Sequence, residues 1–190
     1  MKKSFRPYLA FLLLGSLLSF TACKEDEEPA PDHEHELITT ITLTLVPTDA
    51  SKPTVTAIWE DLDGVGGNPA TVDDLVLSAN TTYNGSISFA SVENHDGHSH
   101  GHDLTAEIKE EGEAHEVFYV VTPQGLVSFE KTDKDTNGRP IGIETTATTS
   151  VAGSGTVRVV LKHQPGTKSN SSNMSTGETD VDIVFETTVQ

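Results

Sequence analysis

The stretch ITTITLTLV, residues 38–46, alternates isoleucine or leucine with threonine, and a period of two is the signature of a strand with one face buried. Ile41, Leu43 and Leu45 share a side, whereas Ile38 falls one residue out of phase, which predicts a bulge or a strand that begins near Thr40. Working outward, the same texture recurs at Thr54–Glu60, where Val55, Ala57 and Trp59 fall together, and then at Leu75–Leu77, Thr82–Ser91, Val117–Thr122, Leu126–Thr132, Ile143–Thr149, Thr156–His163 and Val181–Val189. Glycine, asparagine and aspartate turns separate these segments. About nine short strands punctuated by turns predict an all-β fold, an antiparallel β-sandwich of Ig-like or Greek-key type with little helix, rather than alternating strand and helix units. Only Asp103–Glu113, with Leu104 and Ile108 four apart, reads as a helix, and it reads equally as a charged loop. Trp59, the single tryptophan, is expected as a core plug between two sheets. Two long polar loops remain, Asp61–Asp73 and Pro165–Gly177, and loops of that length in a domain tend to be functional or mobile.

The first residues carry a different pattern. Lys2, Lys3 and Arg6 precede an apolar run, Leu9–Leu18, and the small-residue site Phe20-Thr21-Ala22-Cys23. These are the three parts of a secretory signal peptide, and the run is shorter than the roughly 20 apolar residues that cross a bilayer. The segment resembles the lipobox of bacterial lipoproteins, in which the cysteine is lipidated and becomes the first mature residue. Residues 1–22 are therefore expected to be a lipoprotein signal peptide, residues 23–36 the lipidated Cys23 with a flexible acidic stalk, and residues 37–190 a single β-sandwich domain. The run Lys24-Glu25-Asp26-Glu27-Glu28 resembles the export signal that sends Bacteroidota lipoproteins to the cell surface. The resemblance implies a lipid anchor in the outer membrane, with the cell surface favoured over the periplasmic face.

The chain has 12 basic and 29 acidic residues, a net charge of −17, and loss of Lys2, Lys3 and Arg6 takes it to −20. Such a surface repels nucleic acid and anionic headgroups and favours cations or cationic partners. With Cys23 the only cysteine, no disulfide is available and the core must hold the fold.

The strongest chemical signal is NHDGHSHGHD, residues 94–103, which places His95, His98, His100 and His102 beside Asp96 and Asp103. Alternate residues of an extended chain point the same way, so His98, His100 and His102 can present three imidazoles on one side. Zinc takes three or four nitrogen, sulfur or carboxylate ligands, and Gly97 and Gly101 give the backbone freedom to close around an ion. The spacing is not that of a closed structural zinc site, and it reads as an open loop that collects metal for handover. His33 and His35 in the stalk, beside Glu34 and Glu36, form a weaker collector, and His115 is a further weak candidate, read first as a partly exposed structural histidine. Nothing near His163 in sequence marks it as a ligand. After cleavage only Met174 supplies sulfur, which disfavours copper(I). Imidazole with carboxylate suits zinc first, then nickel or copper(II). Neutral imidazole is the ligand, so affinity is expected to fall as the pH drops through the histidine range near 6.5.

A second signal, DKDTNGRPIGIE at residues 133–144, spells an EF-hand calcium loop with Asp133, Asp135 and Asn137 as oxygen ligands. Flanking amphipathic helices are missing and Pro140 takes an aliphatic position, so an acidic turn between strands is the better reading, with calcium held by its first half as the alternative. DLDGVGGN, residues 61–68, is a weaker version. No nucleophile elbow, no helical His-Glu-x-x-His and no phosphate-cradling glycine loop is present. A non-enzymatic protein is expected.

The stretches TVTAIWEDLDGVGGNP, LVLSANTTYNGSISF and GSGTVRVVLKHQP with STGETDVDIVFETTV resemble a family of small Bacteroidota lipoproteins that often go by the name "type 1 periplasmic binding fold superfamily protein". That named fold has two α/β lobes and needs roughly twice this length, whereas the strand pattern here is nearly free of helix. The resemblance implies an accessory role beside an outer-membrane nutrient-uptake receptor. The expectation is a lipoprotein that binds divalent transition metal, first zinc, through its histidine-rich loop. The alternatives are a surface adhesion module that binds protein or glycan and, more weakly, a calcium-stiffened structural module.

Overall fold

In β1 (Thr40–Pro47) the period of two is realised directly, with Ile41, Leu43 and Leu45 fully buried and the threonines between them half-exposed. The strand starts at Thr40, which resolves the phase offset of Ile38. Thr39, just before it, is buried, and its hydroxyl accepts the Val92 N–H at 2.8 Å. The computed structural model describes residues 37–64, 66–95 and 98–190, with the backbone alone at 93–95 and 98–100. The leader, Cys23, His33, His35 and Asp96 lie outside the described residues.

The other elements are β2 (Val55–Glu60), β3 (Thr71–Val72), β4 (Leu75–Leu77), β5 (Thr82–His95), β6 (His98–Asp103), α1 (Thr105–Glu110), β7 (His115–Thr122), β8 (Val127–Lys131), β9 (Glu144–Thr149), β10 (Gly153–His163) and β11 (Glu178–Val189). They form two sheets. One runs β3-β2-β1-β5-β9-β8, with β6 also paired to β5, and the other runs β4-β11-β10-β7. All pairings are antiparallel except β4 with β11, which is parallel. The long β5 organises the first sheet: β1 lies along one edge, and the other edge carries β9 opposite Thr82–Ser86 and β6 opposite Ala90–His95.

Inward residues of both sheets meet in one core, in which Tyr83, Ile87 and Phe89 of β5 pack with Val157, Val159 and Leu161 of β10 and Phe185 of β11. The fold is a β-sandwich, as the strand pattern predicts. Two strands escaped that pattern, β3 because it has only two residues and β6 because it has no apolar alternation. Trp59 is half-buried against the core rather than sealed within it, and with Asp61, Asp180 and Ile183 it lines a cleft of about 170 Å³ between β2 and β11.

The segment read as helix or loop does form a helix at its start. Ile108 is buried on it and Leu104 just before it, the Asp103 carboxylate accepts the Thr105 N–H at 2.9 Å, and the Thr105 hydroxyl accepts the Phe89 N–H at 3.0 Å. One short turn is thereby tied to the middle of β5.

Candidate metal centre

The histidine-rich segment is a strand ribbon rather than an open loop. β6 returns antiparallel along the end of β5, setting His98 opposite His95, His100 opposite Glu93, and His102 opposite Ser91. The backbone register alone thus concentrates four histidines and a glutamate at one end of a two-stranded hairpin. His102 and Asp103 are exposed. Asp103 also works locally, because hydrogen bonding from Thr105, through its side chain and its backbone N–H, holds the carboxyl below the ordinary range and keeps it ionised. The side chains of His95, His98 and His100 lie outside the described residues, as does Asp96 altogether.

β6 leads through α1 to a second cluster that local sequence did not disclose. His115 opens β7 and pairs in register with His163, the last residue of β10, which in turn lies opposite Glu178 of β11. The two imidazoles stack, with centroids 4.7 Å apart and planes 13° from parallel. His115 is 7% exposed, more buried than the partly exposed structural histidine expected from sequence, because the α1 turn and the start of β11 close over it. Oxygen surrounds its ring: Nδ1 is 3.3 Å from the Glu111 carbonyl and 3.8 Å from Glu111 Oε2, and Nε2 is 3.9 Å from Asp180 Oδ2. Ligand atoms of Glu111, His115 and His163 all lie within 4.8 Å of one another. Glu111 and His115 are four residues apart and so legible in principle. His163 arrives only through the β7–β10 register.

The acidic turn between β8 and β9 spends its carboxylates on the chain itself. Asp133 accepts the N–H groups of Gly142 at 2.7 Å and Ile143 at 3.0 Å, and Asp135 Oδ1 accepts those of Asn137 at 2.9 Å and Arg139 at 2.8 Å. Asp135 Oδ2 is 3.3 Å from Lys168 Nζ, with both side chains fully buried. Burial would raise the Asp135 carboxyl, but the Arg139 N–H, Lys168 and the Asn137 N–H outweigh it and leave it below the usual range. Where a calcium ion would sit on Asp135, the fold supplies an ammonium. In the DLDGVGGN turn, likewise, Asp63 accepts two hydrogen bonds from Asn68, at 3.0 Å and 2.6 Å, and Asp61 accepts one from Gly64 at 2.9 Å.

No family model, curated protein or solved structure matches the chain. Among the described residues no helix is long and apolar enough to cross a membrane.

Proposed function

We propose that this protein captures divalent transition metal, zinc first, on the β5–β6 hairpin, and that it does so as a lipid-anchored outer-membrane lipoprotein serving a nutrient-uptake receptor. The observation that carries the reading is the hairpin register, which gathers His95, His98, His100 and His102 around one ribbon end with Glu93 opposite His100. Imidazoles and carboxylates in that proportion suit zinc, with nickel and copper(II) as competitors. An acidic chain of net charge −17 raises the local concentration of cations around it. A two-stranded ribbon that extends β5 past the core suits capture and release better than catalysis, where groups must be held in place. The anchor and the receptor rest on the leader sequence and on the family resemblance.

The test replaces His95, His98, His100 and His102 by alanine in the native host. Slower growth under zinc limitation, with growth restored by added zinc, is the expected result. Growth equal to wild type at every zinc level would remove the hairpin from metal supply and leave a surface adhesion role as the reading to pursue.

A further inference from the structure

The geometry points to a second divalent-metal site, held by the fold rather than by the hairpin, in which Glu111, His115 and His163 ligate a zinc-like ion and the Asp180 carboxylate orients the His115 ring. A neutral imidazole has one N–H to give. His115 meets oxygen at both ring nitrogens, Glu111 on the Nδ1 side and Asp180 on the Nε2 side. One proton serves only one of these sides, so a cation between ring and carboxylate, a second proton or a metal ion, would favour both. With the proton on Nε2 facing Asp180, Nδ1 turns its lone pair toward Glu111, the carboxylate–histidine–metal arrangement in which an outer acid fixes the tautomer and strengthens the ligand.

The distances suit an ion after small movements. Two bonds of about 2.0–2.2 Å meeting near a tetrahedral angle put ligand atoms roughly 3.3–3.6 Å apart, and Nδ1 of His115 stands 3.8 Å from Oε2 of Glu111. The rings must move further. Imidazole lone pairs lie in the ring plane, and planes only 13° from parallel cannot both aim at one point, so His163 has to turn out of the stack to join the ion. His163 is half-buried and the Glu111 side chain is 41% exposed, so both can turn and the ion can reach them from solvent. Two imidazoles and a carboxylate leave a fourth position for water, a set suited to zinc and then to nickel or copper(II). The ligands come from the end of α1, the start of β7 and the end of β10. An ion there would clamp three segments and raise the melting temperature.

The site is independent of the hairpin, and the experiment separates them. Cobalt(II), a coloured stand-in for zinc, is titrated into the full chain carrying alanine at His95, His98, His100 and His102, and then into the same chain with Glu111→Gln or His163→Ala added. Melting without metal checks that each variant is folded, and Glu111→Gln, at a half-exposed side chain, keeps the test valid should His163→Ala unfold. One equivalent of cobalt with the intense visible bands of a four-coordinate site, displaced by zinc, raising the melting temperature, and lost in either added variant, is the expected result. This outcome stands whether or not the hairpin itself binds metal in the unmodified chain. No such spectrum in the hairpin variant, or a spectrum that survives both added substitutions, would overturn the proposal and leave a protonated or purely structural histidine pair.

Discussion

Lys168 shows how one residue can decide the role of several others. Its ammonium is buried, donating to the carbonyls of Gly112 at 2.6 Å and His115 at 2.9 Å and lying 3.3 Å from Asp135 Oδ2. It therefore pins the Pro165–Gly177 loop to both the α1–β7 turn and the β8–β9 turn. Asp135→Ala would strand that charge, and removing one partner of a buried pair costs about 3–5 kcal/mol, measurable as a lower urea midpoint with an unchanged slope. The Asp135 carboxyl is depressed in the folded state, so its contribution is full above the unfolded value near 3.9 and is lost as the pH falls through the lower folded one. The variant should accordingly lose part of the wild-type fall in stability below about pH 4. An equal acid slope in both proteins would show that Asp135 is not the group responsible. Gln164 is the opposite case: it is fully buried and its amide nitrogen and oxygen find no hydrogen-bond partner among the described residues. Gln164→Met keeps the shape, removes two unsatisfied groups and should stabilise by about 1–3 kcal/mol in the same assay; a loss of stability would mean the amide is satisfied in solution. Neither role was legible in sequence. Asp135 spelled a calcium ligand by local spacing, and the lysine that occupies it lies in a loop read as functional or mobile.

Strands with one buried face announced themselves. Leu75–Leu77 is realised residue for residue, and β1, β2 and β9 begin within a residue of where alternation begins. β6 did not, because an amphipathic strand is recognised by its apolar half and HSHGHD has none. It forms by extending the β5 ladder past the core, from Ala90 to His95. The His115–His163 pairing was hidden for another reason: it depends on which strands become neighbours, and a register 48 residues apart leaves no local trace. Because the last core side chain of β5 before the hairpin is Phe89, the four hairpin histidines should be dispensable for folding. Their replacement by alanine is expected to change stability by no more than about 0.5 kcal/mol, checked by urea unfolding in chelator. A loss of several kcal/mol would mean that the histidines carry structural weight.

At the scale of the molecule, an acidic β-sandwich without a disulfide holds one core between two sheets, and the histidines among the described residues gather at two places, a hairpin beyond the core and a cluster where β7, β10 and β11 begin or end. Fold class followed from periodicity alone, since burial of alternate residues is a local demand that composition must meet. The hairpin candidates followed from composition, and the second cluster needed the topology. Both places bring histidine and acidic residues together, by register in the hairpin and by contact in the second cluster. The most direct check is calorimetric titration of zinc into the full chain at neutral pH, beside the variant with alanine at His95, His98, His100 and His102. Micromolar or tighter binding that weakens toward acid pH, because neutral imidazole is the ligand, and that falls by at least one equivalent in the variant, is the predicted result. Absence of binding to the unmodified chain, or identical isotherms for the two proteins, would contradict metal capture by the hairpin.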